Sequence, residues 1–288
     1  MKISFLIAKI AVVFALIIGN RAHAVHPVYP IYKGTGQPDA CSLDEQRGEK
    51  YARLLAVSAK VSSSEGSGSG TVCHFDQNSG WAYVVSCGHL WKGDKKYESS
   101  SKVKAKIALW YKAGLKLESP VVYDAESLFW SNKRGYDVSL LRFRPDWPIS
   151  YAPISSHFSP SKGDSLHSVG CDGGREVARY EVKFASFSIP DILTNLNSPR
   201  PGRSGGGLFD ENEFLVGICW GTSDTVSGNG TGYFTPVDAI RKVFSDNGHA
   251  WLLEFPTEAR CLPILDHDDP KSKTSPHFVP MPRAKLER

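Results

Sequence analysis

The chain has 288 residues, 41% of them hydrophobic, and a formal net charge of +4. Three of its basic residues, Lys2, Lys9 and Arg21, lie in an N-terminal segment without an acid, and loss of that segment brings the charge to +1. So slight a balance argues against nucleic acid as a partner.

That segment reads as an export signal. Lys2 and Lys9 lead into an apolar run from Ile10 to Ile18, and Ala22-His23-Ala24 forms a cleavage site of two small residues around a spacer. The run is short for a membrane span; an uncleaved anchor is the alternative. Cleavage after Ala24 leaves a chain with no later run apolar enough to cross a bilayer, so a secreted or periplasmic protein without stable membrane insertion is expected. All six cysteines (Cys41, Cys73, Cys87, Cys171, Cys219 and Cys261) survive cleavage. An even count in an exported chain suggests disulfides, in any of fifteen pairings. Cys73 and Cys87 lie on the two arms of one predicted hairpin and are the first expected pair. Cys41 and Cys261 flank the core and would tie its ends together. No Cys-Xaa-Xaa-Cys occurs, so neither a metal nor another cofactor is expected.

From residue 25 to 50 the chain is an extension, rich in Pro and Gly, with a capping box at Ser42 and Glu45 opening a short helix near Leu43–Tyr51. A Ser/Gly loop covers Ser62–Gly70. Strands are predicted at Val72–Phe75 and Trp81–Ser86 around a turn at Asp76–Gly80, then at Val103–Tyr111, Val121–Asp124 and Val138–Phe143. A second set covers Ser165–Gly170, Arg179–Phe187, Gly207–Phe209, Phe214–Trp220 and Gly232–Phe234. Many short strands between Gly/Pro turns define an all-β sandwich or barrel. One helix follows, with Thr235 as N-cap, Pro236 at its first position and Asp238 in capping-box range. Ile240, Val243 and Phe244 form its apolar face, and Gly248 ends it. Residues 251–288 read as a tail, in which His267-Asp268-Asp269 is a solvated polar cluster.

Three segments carry chemistry. Pro201-Gly202-Arg203-Ser204-Gly205-Gly206-Gly207 sets a serine among glycines, where positive φ and close backbone approach are available. Two backbone N–H groups beside such a hydroxyl make an oxyanion hole; the bland reading is a Gly/Ser linker. Upstream, the β-rich run from Trp81 ends in Ser86-Cys87-Gly88-His89. Between them, Asp137 opens the apolar strand that follows Gly135-Tyr136. The order His89, Asp137, Ser204 marks the chymotrypsin arrangement among the known orders of these three residues.

On these segments the chain resembles the trypsin/chymotrypsin-like serine proteases, particularly their bacterial HtrA-like and glutamyl-endopeptidase-like branches, from about Ser58 to Asn247. Gly68-Ser69-Gly70-Thr71 resembles the strand that leads into the histidine hairpin. Ile218-Cys219-Trp220-Gly221 resembles the segment lining the cleft, and Gly232-Tyr233-Phe234-Thr235-Pro236-Val237 the last strand running into the helix. The resemblance implies two six-stranded antiparallel β-barrels with a C-terminal helix: 51–150 and 151–250, meeting near residues 145–160, with His89 and Asp137 from the first and Ser204 from the second. It implies an exported serine endopeptidase acting on polypeptides through an acyl-enzyme, with Gly202 and Ser204 as oxyanion donors and Ser198, Cys219, Trp220, Gly221 and Gly232 around the substrate. The competing reading is a protease-like binding domain with lost or very low turnover.

Four positions depart from the family pattern. Arg203 stands where activated digestive proteases carry an aspartate that pairs with a freed N-terminus, so activation by N-terminal insertion is not expected. Gly207 replaces a proline, and Gly88 replaces an alanine, a small change. Cys219 replaces a serine or histidine. Ser198 stands where trypsin has an acid, so cleavage after Lys or Arg is not favoured. Gly221 and Gly232 match pocket-wall glycines and are expected to leave the pocket open. Arg200 and Arg203 raise the question of an acidic preference, but both are expected to face solvent.

Overall fold

The computed structural model describes residues 52–91, 103–112, 115–147, 149–224 and 230–253. Of the expected tail, 251–288, the first residues do not form a tail: they belong to a 3-10 turn, Ala250–Leu253, that buries Leu252. The rest of it, the export signal, the 25–50 extension with its capping box, Cys41 and Cys261 lie outside the described residues.

A short helix, α1 (Ala52–Ala56), leads into β1 (Ser58–Ser62). Strands β2 (Ser67–Asp76) and β3 (Trp81–Ser86) form the predicted hairpin, whose turn ends at Gly80 with φ of +72°. Strands β4 (Lys104–Lys112), β5 (Leu115–Lys133) and β6 (Tyr136–Phe143) complete a closed antiparallel barrel in the order β1-β2-β3-β6-β5-β4. Strands β7 (Ser165–Cys171), β8 (Val177–Ser188), β9 (Asp191–Asn195), β10 (Gly207–Phe209), β11 (Leu215–Thr222) and β12 (Gly232–Pro236) close a second barrel in the order β10-β11-β12-β9-β8-β7. Closure removes the open strand edges that would otherwise template aggregation.

Each barrel is filled by its own inward-facing residues. Val61, Val72, Val84, Ile107 and Leu140 are fully buried in the first. Leu166, Val182, Ile192, Leu208, Val216 and Phe234 fill the second. The connecting segment stitches the two together, because Ala152 N–H donates to Val72 O (2.9 Å) on β2 and Leu215 N–H on β11 donates to Pro153 O (3.0 Å).

The final helix, α2 (Val237–Asp246), buries Val237, Ile240, Val243 and Phe244, as its apolar spacing predicts. Gly248, at φ of +76°, follows its C-cap Asn247. Its start differs from expectation. Pro236 is the N-cap and no side chain caps it; Thr235 remains in β12, where its hydroxyl donates to Asp137 O (3.4 Å).

The expected Cys73–Cys87 disulfide is absent: both are free and buried, as are Cys171 and Cys219. Register explains it. Thr71 pairs with Val85, and Cys73 is the extra residue of a bulge between Val72 and His74. Continued along β2, that register sets Cys87 opposite Ser69, about 13 Å along the strand from Cys73 at ~3.3 Å per residue, beyond disulfide reach. Instead the Cys73 thiol donates to Tyr83 O (3.5 Å).

Candidate active site

His89 lies just past the end of β3 and Asp137 near the start of β6, two strands that pair with each other. The buried Asp137 carboxylate accepts three N–H bonds. Oδ1 takes those of Gly88 (2.6 Å) and His89 (2.8 Å), and Oδ2 lies 2.6 Å from His89 Nδ1. Accepting Nδ1–H leaves Nε2 as the proton-accepting atom of a neutral ring. Ser139 Oγ donates to Cys87 O (3.0 Å) and Ser86 Oγ to Ser69 O (2.6 Å), so the backbone just before His89 is held on both sides.

Gly88 is not the small change expected from sequence. A β-carbon there would fall on the carbonyl of Ser131 in β5. Only glycine lets the histidine turn pass this strand.

The serine segment consists of two consecutive turns. Arg203 N–H donates to Arg200 O (2.9 Å) across corners Pro201 and Gly202, and Gly206 N–H donates to Arg203 O (2.8 Å) across corners Ser204 and Gly205. Gly202 has φ of +91° and Gly205 of +85°, the conformation that the second corner of a type II turn requires. The linker reading fails, because nearly every flanking group is engaged. Ser69 N–H donates to Ser204 O (2.6 Å), Gly205 N–H to Cys219 O (2.7 Å) and Cys219 N–H to Gly206 O (2.9 Å). A β-carbon on Gly205 would collide with Ser69 O and with Ser86 Oγ, so the half-buried Ser204 sits beside the end of β3, three residues before His89.

Pro201 O accepts the N–H of Gly173 (2.6 Å). In a planar trans peptide the N–H points opposite to the C=O, so Gly202 N–H faces away from the 172–174 segment. Among the described residues no acceptor takes the N–H of Gly202 or of Ser204, and no hydrogen bond joins Ser204 Oγ to His89. The nearest hydrogen-bonding neighbour of His89 Nε2 is Cys87 Sγ, at 3.6 Å.

Cys87, His89 and Asp137 bring potential metal-ligating atoms within 4.8 Å of one another. Both carboxylate oxygens and Nδ1 are already bonded, leaving one sulfur and one nitrogen for a tetrahedral ion that takes four donors. Burial also pushes the Cys87 thiol well above its ordinary range, and that of Cys219 to about 12. Both are therefore protonated at neutral pH, poor metal ligands and poor nucleophiles.

The expected substrate-side residues divide. Trp220 Nε1–H donates to Asp191 Oδ1 (3.0 Å) and its ring lies 5.3 Å from that of Tyr233. A β-carbon on Gly221 would meet no atom within 4 Å. Gly232 opens nothing, since its missing side chain is replaced by Thr194, Pro199 and Phe234. Ser198 is buried, with its hydroxyl toward Asp224 O (3.4 Å). Cys219 braces the serine turn through its backbone. Arg200 and Arg203 do not face solvent: both are buried, Arg203 to 1% exposure.

Two contributors escaped the sequence reading. Ser69 Oγ donates to Gly202 O (2.8 Å) and accepts the N–H of Cys171 (2.7 Å). Asp172 receives the Arg203 guanidinium at 2.8–2.9 Å. No local pattern links positions 69, 172 and 203, which only the packing of the two barrels brings together.

Two six-stranded barrels with a histidine–aspartate pair on the first and a serine turn on the second define a chymotrypsin-like architecture. The trypsin-like peptidase domain profile matches residues 68–218, more than half of the chain. The chain therefore belongs to the trypsin-like peptidase family, a family of serine-type endopeptidases. Among solved structures it is similar to the serine endoprotease from Yersinia pestis, with a TM-score of 0.50 and 17% identity. That match covers 71% of this chain and 65% of the other, a likeness of fold. No curated protein sequence matches.

Proposed function

We propose that this chain is an exported serine endopeptidase that cleaves polypeptides through His89, Asp137 and Ser204. The observation that carries the reading is the His89–Asp137 pair at 2.6 Å beside a serine turn whose Gly202 and Ser204 N–H groups have no acceptor among the described residues.

In the proposed mechanism, Ser204 Oγ attacks the scissile carbonyl carbon and His89 Nε2 takes its proton. The tetrahedral oxyanion accepts the N–H groups of Gly202 and Ser204. Collapse breaks the C–N bond, and His89 returns the proton to the leaving amine. Water, deprotonated by His89, then attacks the acyl-enzyme and releases the acid product with Ser204 restored. Asp137 holds the tautomer and stabilises the imidazolium throughout. The hydroxyl–imidazole bond missing at rest forms as substrate fills the site, a common tightening.

Ser204→Ala is expected to lower kcat on the order of 10⁶-fold, read on casein, with the circular dichroism spectrum unchanged. A fluorophosphonate should label Ser204 and no other residue; a folded protein that stays unlabelled and inert would sink the proposal. One contact favours the second reading, a binding domain without turnover: Cys87 Sγ occupies the neighbourhood of His89 Nε2. Casein hydrolysis that disappears in Ser204→Ala eliminates it. Export is proposed from the N-terminal segment; N-terminal sequencing of the protein recovered outside the cytoplasm should begin at Val25, and a start at Met1 rejects cleavage after Ala24.

A further inference from the structure

Arg203 is among the largest fully buried side chains of the described residues. A buried guanidinium is costly unless it is paired and hydrogen-bonded, and here each of its three nitrogens has a partner. Nε and one terminal nitrogen reach Asp172 Oδ1 at 2.9 and 2.8 Å, and the other terminal nitrogen donates to Ser168 O (3.0 Å) and Oγ (3.2 Å). The Tyr180 ring lies 4.4 Å from the guanidinium carbon, in cation–π range.

The location of these partners matters more than their number. Asp172 opens a 3-10 turn, Asp172–Gly174. Its next residue, Gly173, donates the N–H that holds Pro201 O. The serine segment is thus clamped to one three-residue turn at two points, by the side chain of Arg203 and by the carbonyl of Pro201. A third tether is Ser69 Oγ, which bridges Gly202 O and Cys171 N–H. With Pro201 O and Gly202 O both held, the peptide between Pro201 and Gly202 is fixed with its N–H directed away from the clamp. Every anchor belongs to residues 69–203; none requires a chain terminus.

We propose that Arg203 is a positioning residue: locked to Asp172, Ser168 and Tyr180, it holds the Gly202 peptide in the anion-binding orientation, so that the oxyanion hole is formed in the uncleaved chain. This rests on the protease reading above.

Asp172→Asn keeps the shape and removes the charge, and Arg203→Lys keeps the charge and removes the planar fork. Each is expected to lower kcat per folded molecule about 100-fold, the scale of a lost oxyanion donor, with KM within about threefold of wild type. The low-field proton resonance of the His89–Asp137 bond should stay in place while the Gly202 amide resonance shifts. Guanidinium ion should restore part of the turnover of Arg203→Ala. A carrier protein fused to the N-terminus should leave turnover of the otherwise wild-type chain unchanged.

Folded variants with wild-type kcat and an unshifted Gly202 amide would overturn the proposal, as would a fused chain that gains activity only when the carrier is removed. A purely structural Arg203 would change thermal stability and leave kcat per folded molecule alone. Should the wild-type chain prove inert, the protease reading fails by itself, and the Gly202 amide shift still reports on the clamp.

Discussion

A methyl group on Gly88 would land on the carbonyl oxygen of Ser131, although alanine differs from glycine by one carbon. Residue-scale readings succeed where the deciding neighbours are close in sequence. The turn that displays Ser204 is legible in this way, because Pro-Gly and Ser-Gly successively supply the corners of two type II turns. Gly88 and Arg203 are not legible, because their surroundings come from β5 and from the 172–174 turn. Arg203 sits among glycines and a proline in sequence and looks solvent-facing, yet it is among the largest fully buried side chains. Gly88→Ala is expected to cost about 1–3 kcal/mol by overpacking, or roughly 2–4 °C of Tm per kcal/mol in a protein of this size. It also moves the N–H groups of Gly88 and His89 that hold Asp137 Oδ1, so kcat should fall about 10- to 100-fold for a displacement under 1 Å. Thermal melts and active-site titration measure the two effects separately. Wild-type values of both would mean that the backbone yields at no cost.

At the scale of elements, hydrophobic patterning finds ten of the twelve strands and misses β1 and β9, the strands that close the barrels. β1 (Ser-Ala-Lys-Val-Ser) alternates, but over five residues and with valine as its one large apolar side chain, and the two apolar residues of β9 (Asp-Ile-Leu-Thr-Asn) are adjacent, which breaks a period of two. Both are specified by their partners: β1 pairs with β2 and β4, and β9 with β8 and β12. Patterning also stops β5 at Asp124, whereas the strand runs to Lys133 and its far end supplies the Ser131 carbonyl over Gly88. A bulge between Ser127 and Phe129 shifts the register within that stretch, so the sequence alternation breaks where the strand continues. The proline of the family pattern, which Gly207 replaces, is excluded here by the same kind of tertiary crowding. The Phe209 ring and Thr71 Oγ1 fill the space beside Gly207, and Gly207 pairs with both Val169 and Ile218 in the sheet, where a proline would lack a donor.

Across the whole molecule, two histidines tie separate parts of the chain together and make acid the expected route of failure. His74 on β2 is 6% exposed and contacts the rings of Tyr83, Tyr151 and Trp251 at 5.6–5.9 Å, linking the first barrel to the connecting segment and to the residues after α2. His249 stacks on Phe129 at 5.4 Å, and Phe129 meets Phe244 of α2. Burial lowers the pKa of both imidazoles; the nearby Asp76 carboxylate opposes this at His74, and the Arg142 charge reinforces it at His249. The folded chain therefore takes up these protons less readily than the unfolded chain, whose histidines titrate near 6.5. Where the unfolded state binds more protons, stability rises with pH. The contribution is thus complete above about pH 7 and is lost as pH falls through the imidazole range. Asp76 and Glu181, both held below their ordinary range chiefly by hydrogen bonds from Ser79 and Lys183, add a second loss at more acidic pH. Asp191, raised by burial, opposes that second loss. Tm is therefore expected to be level from pH 8 to 7 and to decline from pH 7 to 5, with a shallower decline when His74→Phe and His249→Phe are combined. A wild-type Tm that stays level to pH 5, or an equal decline in the double variant, would refute the assignment of acid sensitivity to these two rings.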